Sequence, residues 1–124
     1  LRLSGYKQSN IKKHTTIFKS FEPQLASNAE FDLLARLTST SILIKRFGKK
    51  EIRIEVKTRR NQDGTKYLSS VKPEKFELLC VVDMAKNYTL NKIFFVTSEM
   101  ADKFLDRKRQ RLIFKEEMAF MTLD

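Results

Sequence analysis

The chain holds a single cysteine, Cys80, so no disulfide can form within it. It also holds a single histidine, His14. A structural zinc site draws on several Cys or His ligands, and this chain cannot supply them. Tryptophan is absent, and three glycines and two prolines are scattered with no repeat or low-complexity tract. The longest apolar runs reach only about five residues, against the ~20 that a membrane-spanning helix needs. The N-terminal stretch lacks the charged segment and apolar run of a secretory leader. With one cysteine and no export signal, the expected compartment is the cytoplasm.

Basic residues dominate what is present. Twenty-five Lys and Arg face fifteen Asp and Glu, a net charge of +10. Such an excess points to a polyanion, either nucleic acid or an anionic membrane surface, and with no membrane segment the former is favoured. A nucleoid-associated location fits equally with a cytoplasmic one. Solubility alone is the plainer explanation of a high lysine count. The length of 124 residues suits one domain. Ten phenylalanines supply much of its core, each burying a large area. The first residue is Leu1 rather than Met, which leaves room for an element upstream. Cys80, within Leu78-Leu79-Cys80-Val81-Val82, is expected to be a small buried hydrophobe. His14, in a basic polar stretch, suits a surface or phosphate contact.

Between residues 1 and 22 the pattern is weak: Ser9 or Asn10 would cap a short helix over Ile11–Thr16, or Thr15–Phe18 would start a strand. Phe31–Leu37 is apolar and favours a strand, with a helix over Ala29–Leu37 as the rival. Ile42–Phe47 is β-branched and apolar, Gly48-Lys49-Lys50 reads as a tight turn, and Glu51–Thr58 alternates. Ile52, Ile54 and Val56 then share one face and Arg53, Glu55 and Lys57 the other. A β-hairpin across Gly48 is expected. Asn61-Gln62-Asp63-Gly64 is a turn signal, Tyr67–Val71 a short strand, and Pro73 the start of a new element. Phe76–Val82 reads as a buried strand, with a helix over Glu74–Met84 as the alternative. Lys92–Thr97 reads as the central strand. Ser98 is expected to cap a helix running to about Gln110, with Phe104 and Leu105 on its apolar side and the densest basic cluster, Arg107–Arg111, near its end.

One set of residues carries chemistry. Hydrolysing a phosphodiester calls for a divalent metal, carboxylates to hold it, and a cation to meet the charge that builds on the phosphate. Mg²⁺ takes a few carboxylates plus water and phosphate oxygens. On a strand, residues i and i+2 project from one face, so Glu55 and Lys57 form a candidate metal ligand and catalytic cation while Val56 points to the core. About one Glu-x-Lys triplet is expected by chance in a chain with nine Glu and sixteen Lys. Its setting adds weight: a strand end, an apolar middle residue and Asp32 upstream. The plain alternative is a solvated sheet face on which Arg53, Glu55 and Lys57 are alternating charges.

Phe31-Asp32-Leu33-Leu34-Ala35 followed by Ile52–Arg60 resembles the PD-(D/E)xK nuclease superfamily, which includes many restriction enzymes, archaeal Holliday-junction resolvases and some homing endonucleases. Phe76–Asp83 and Ile93–Glu99 resemble the later core strands of its resolvase-like and homing-type members, so the similarity spans roughly residues 30–105. It implies an α/β (α+β) fold: a single mixed β-sheet with flanking helices, in a restriction-endonuclease-like core. It further implies an Mg²⁺-dependent endonuclease acting on DNA, with Mn²⁺ as a substitute. Asp32 and Glu55 would bind metal, and Asp32, Glu55 and Lys57 would be catalytic. Residues 1–29 would form a basic N-terminal segment and 106–124 an extension of one domain. Arg59, Arg60, Lys66, Lys72, Lys49 and Lys50 lie where phosphate contacts help. A domain this small reads few bases, which favours a homodimer with two active sites. Phe31 stands where the family often has Pro. Asp32 and Glu55 stand 23 positions apart, more than in compact members, which makes 38–50 an enlarged connection or an extra hairpin. Glu22 and Glu30 are candidates for the family's acid on a preceding helix.

Two other classes fit the composition. A non-catalytic basic nucleic-acid-binding domain would use Lys12, Lys13, Lys45, Lys49, Lys50 and Arg107–Arg111 on phosphates, without cleavage. A protein-interaction domain would use Met118-Ala119-Phe120-Met121 as an interface strip. The nuclease alone requires Asp32, Glu55 and Lys57 on one sheet face.

Overall fold

The structure is a computed structural model. It describes residues 18–24, 31–39, 41–60, 67–85, 87 and 89–123, with the backbone alone for Ile42 and Arg60. The expectations for 1–17, His14, Glu30, the 61–64 turn and Lys66 lie outside the described residues.

Strands dominate. Six of them, β1 (Phe18–Pro23), β2 (Leu33–Leu37), β3 (Glu51–Arg60), β5 (Leu78–Met84), β6 (Leu90–Thr97) and β9 (Met121–Leu123), form one sheet in the order β1-β2-β3-β5-β6-β9. β3 and β5 run parallel, and every other neighbouring pair is antiparallel. A second sheet of three short antiparallel strands has the order β4 (Tyr67–Leu68), β8 (Arg111–Ile113), β7 (Leu105–Asp106). The α-helices among the described residues are α1 (Ile42–Phe47) and α2 (Ser98–Lys103), six residues each.

This corrects the expected architecture. The molecule is not an α/β restriction-endonuclease-like core with one sheet and flanking helices; it is β-rich, and its described residues form two sheets and only short helices. The larger sheet curls. Phe18 on β1 and Phe95 on β6 are separated by three strands, yet their ring centroids lie 5.7 Å apart. In a flat sheet four strand spacings would put them roughly 19 Å apart. The curl lets the sheet enclose its own core: Phe18, Leu33, Ala35, Leu37, Ile52, Ile54, Leu78, Cys80, Phe95 and Leu123 pack there with Leu43 of α1. Strand residues thus cover a face that flanking helices were expected to cover.

The opposite face carries a second core. Leu79, Val81, Phe94 and Val96 pack against Leu68, Val71, Leu112 and Phe114 from the second sheet and its flanks, and against Ala101 of α2. The period-2 alternation of β3 therefore turns Ile52 and Ile54 into the first core and places Arg53, Glu55, Lys57 and Arg59 on the other face.

Two local expectations fail for identifiable reasons. Ile42–Phe47 is a helix, not a hairpin strand. Ser41 accepts a hydrogen bond from the Leu43 N–H at its start, and Gly48 ends it in the left-handed region at φ 69°, its N–H donating to the Ile44 carbonyl at 2.7 Å. The antiparallel partner of β3 is instead β2. The expected helix from Ser98 to Gln110 stops at Lys103, and Thr97, not Ser98, caps it by accepting from the Met100 N–H. Continued as a helix, Lys103, Arg107, Lys108 and Arg111 would stack like charges three and four apart. As a β-hairpin the basic turn faces solvent, and Leu112 and Phe114 alternate inward. Elsewhere Leu33–Leu37 is the strand favoured by sequence, β6 lies inside the sheet, and Cys80 is buried, its thiol pushed up to about 12 by burial.

Candidate functional site

The site forms where β2 meets β3. Leu33 pairs with Ile54, and one residue earlier Asp32 prolongs the contact, its N–H donating to the Ile54 carbonyl at 3.0 Å. There β2 ends while β3 continues, which leaves the Val56 N–H beyond the reach of a β2 carbonyl. The Asp32 carboxylate takes that place, Oδ2 accepting the Val56 N–H at 2.7 Å. A side chain thus completes the ladder, and in doing so Asp32 is held beside Glu55.

The Val56 N–H that Asp32 accepts follows Glu55 directly on β3, so the two carboxyl groups are neighbours and their charges repel. The Glu55 carboxyl is pushed up from 4.5 to about 7. Burial is the largest cause, followed by the hydrogen bond and charge repulsion from Asp32; Lys57 and the Val56 N–H pull the other way. Glu55 and Lys57 leave β3 on one face, and both are half-buried. The sequence-derived trio of Asp32, Glu55 and Lys57 is therefore gathered at one place.

Fixed ion pairs bracket this pair of residues along β3. On one side the buried Glu77 receives the Arg53 backbone N–H at 2.7 Å and the Arg53 guanidinium through both its oxygens, with Lys49 Nζ at 3.4 Å. Burial alone would raise the Glu77 carboxyl, but these Arg53 and Lys49 contacts hold it below the ordinary range. On the other side Arg59 meets Asp83 at 3.0 Å, with their side chains 8% and 1% exposed. Asp83 also accepts from Asn91 at 3.0 Å, and the Arg59 guanidinium lies 4.7 Å from the Phe114 ring centre. Register places Glu55 opposite Leu79 and Lys57 opposite Val81, so neither has an acid or base directly across on β5.

The proposed phosphate contacts divide. Arg59 is committed to Asp83 and Phe114 and faces the interior. Lys49 is half-exposed and ion-paired with Glu77. Lys50 and Lys72 are exposed. Arg60 ends β3, and Lys66 lies outside the described residues. Glu22 is exposed on β1, not on a helix. Sequence reading missed the Arg53–Glu77 and Arg59–Asp83 pairs. The available signal was an acid interrupting an apolar run, Glu77 between Phe76 and Leu78 and Asp83 after Val82, because a buried acid requires a partner.

Two neighbouring carboxylates, Asp32 exposed and Glu55 half-buried, repel each other, and a small divalent cation relieves that repulsion, so the donor set fits a hard ion. No group of three or more His, Cys, Asp or Glu able to hold a metal occurs among the described residues. Asp32 and Glu55 would therefore share the ion with water and substrate oxygens, the pattern Mg²⁺ prefers. Among the described residues no helix is long and apolar enough to cross a membrane. Compared with known proteins, the chain matches no protein-family model and no curated sequence.

Proposed function

We propose that this chain is a metal-dependent endodeoxyribonuclease that hydrolyses DNA phosphodiester bonds. The observation that carries the reading is that the Val56 N–H holds the Asp32 carboxylate beside Glu55 at the β2–β3 junction, with Lys57 on the same face as Glu55. Asp32 and Glu55 would hold Mg²⁺, or Mn²⁺ in its place. The ion supplies Lewis acidity at the scissile phosphate and eases deprotonation of the attacking water. Asp32 keeps its place through the Val56 N–H, so one ligand is fixed by the backbone of the strand that carries the other. Lys57 orients the water or offsets the negative charge that develops on the phosphate, in a setting where partial burial strengthens the interaction. The +10 charge supports a polyanionic substrate.

The test is incubation with supercoiled, linear and branched DNA in Mg²⁺ or in EDTA. Wild type should cut only with metal. Glu55→Ala and Lys57→Ala should bind DNA without cutting it. Equal cutting by all three proteins would refute the assignment. Salt-sensitive binding without cleavage by wild type would instead indicate a non-catalytic nucleic-acid-binding domain.

A further inference from the structure

We propose that the outer face of the second sheet is a stacking platform for single-stranded DNA, with Tyr67 and Phe104 receiving bases and Arg111, Lys103 and Lys115 receiving phosphates. The strands of this sheet alternate strictly. Leu68, Leu112 and Leu105 face the core, which turns Tyr67, Ile113, Arg111 and Asp106 outward. Tyr67 and Ile113 are register partners, and they remain 47% and 46% exposed. Phe104, just before β7, is 51% exposed. Three large apolar side chains on one small sheet and its margin are more than scattered surface hydrophobics explain.

Their company indicates the ligand. The Arg111 guanidinium lies 5.3 Å from the Tyr67 ring centre, and Lys103 Nζ lies 5.5 Å from that of Phe104. Between Ile113 and Phe104 opens a cavity of about 430 Å³, walled also by Met100, Met118, Lys103, Lys115 and Glu117. That size is in the range of small-ligand pockets, roughly 300–1,000 Å³, and admits a base. The β7–β8 turn adds Arg107, Lys108 and Arg109. The acids in this region are Asp106, Glu116, Glu117 and Asp102, the last ion-paired with Arg107, and the six cations from Lys103 to Lys115 outnumber them. Rings alternating with cations suit a strand whose unpaired bases stack while its phosphates are neutralised. A paired duplex hides its base faces and has no use for such rings.

The platform is tied to the Glu55–Lys57 strand through Phe114, which follows Ile113 and lies beneath Arg59, two residues beyond Lys57. The proposal nevertheless does not depend on cleavage, and its test is made in EDTA. Fluorescence anisotropy with a labelled oligothymidylate should show wild-type binding, reduced about tenfold by Tyr67→Ala or Phe104→Ala. Both side chains are exposed, so the fold should persist, and far-UV circular dichroism should be unchanged. Tyr67→Phe, which keeps the ring, should bind as wild type does. An abasic oligomer of the same length should bind wild type as weakly as the alanine variants bind oligothymidylate. Equal affinity of wild type and both alanine variants, or undiminished binding of the abasic oligomer, overturns the proposal. So does ring-dependent binding to phosphatidylserine vesicles, or ring-dependent self-association, without ring-dependent oligonucleotide binding. A nuclease failure would appear separately, as no cutting in Mg²⁺ with ring-dependent binding intact.

Discussion

Replacing Glu55 by glutamine should stabilise the metal-free protein at alkaline pH while abolishing cleavage. Glu55 titrates at about 7 in the fold against an ordinary 4.5, because burial and the neighbouring Asp32 disfavour its charge. A carboxyl raised on folding contributes stability that is fully present below its unfolded value and is lost as pH rises through the folded one. Wild type should thus lose stability between about pH 4.5 and pH 7, the window set by those two values. The interval corresponds to roughly 3 kcal/mol at ~1.4 kcal/mol per pH unit. Glu55 is only half-buried, and water screening brings the expected effect to about 1 kcal/mol. Glutamine keeps the size and a hydrogen bond to Asp32 but carries no charge. In EDTA at pH 8, Glu55→Gln should melt roughly 3–5 °C above wild type, and at pH 5 the two should nearly coincide. Adding Mg²⁺ at pH 8 should raise the melting temperature of wild type and leave the variant unmoved, since a ligand stabilises only the state that binds it. A variant no more stable than wild type at pH 8, or equally stabilised at both pH values, would refute the electrostatic account of the site. A functional site that strains its own fold in this way is expected to trade stability against activity.

Other substitutions probe the frame around the site. Arg59→Ala leaves the buried Asp83 with Asn91 but no cation, and should cost roughly 3 kcal/mol in urea unfolding; a loss below about 1 kcal/mol would show that the pair is not structural. Gly48→Ala meets no atom within 4 Å but must hold φ at 69°, so the expected cost is about 1 kcal/mol from backbone strain alone; no change in denaturation midpoint would contradict the left-handed end of α1. Leu43→Ala opens a void among Phe18, Leu37 and their neighbours and should cost about 2–5 kcal/mol; a near-neutral result would place α1 outside the core.

The legible parts of this fold were those in which a local pattern and its environment agree. Glu51–Thr58 alternates because its two faces meet different surroundings, and Ile93–Val96 is apolar throughout because both its faces are covered. The Asp32, Glu55 and Lys57 grouping followed from strand parity and from reading Leu33–Leu37 as a strand. What was not legible depends on distant contacts. Ile42–Phe47 is too short for helical periodicity to outweigh its β-branched start, and only the pairing of β2 with β3 expels it from the sheet. Residues 104–113 fold as a hairpin because Leu105 and Leu112 find an apolar surface on the far side of the larger sheet. The curl that brings Phe18 to Phe95 has no local signature at all. Arg59 looked like a phosphate contact because its partner Asp83 lies on another strand, twenty-four positions away.

Asp32 offers the sharpest separation of architecture from chemistry, because its carboxylate does two things at once. One oxygen accepts the Val56 N–H, and the charge opposes Glu55. Asparagine retains an acceptor and removes the charge; alanine removes both. Without metal at pH 8, Asp32→Asn should be at least as stable as wild type, because the repulsion goes and the ladder contact stays. Asp32→Ala should fall below Asp32→Asn by about 1 kcal/mol, the usual value of one such hydrogen bond. In both variants the Glu55 carboxyl should titrate nearer its ordinary 4.5, visible by side-chain NMR. Neither should respond to Mg²⁺ with a higher melting temperature if Asp32 is half of the ion's protein ligand set. Equal stability of the two variants would mean that the Val56 contact does not hold the junction. A preserved Mg²⁺ response in Asp32→Asn would assign the ion to Glu55 without Asp32. Asp32 would then serve the strand pairing alone, through the Val56 N–H.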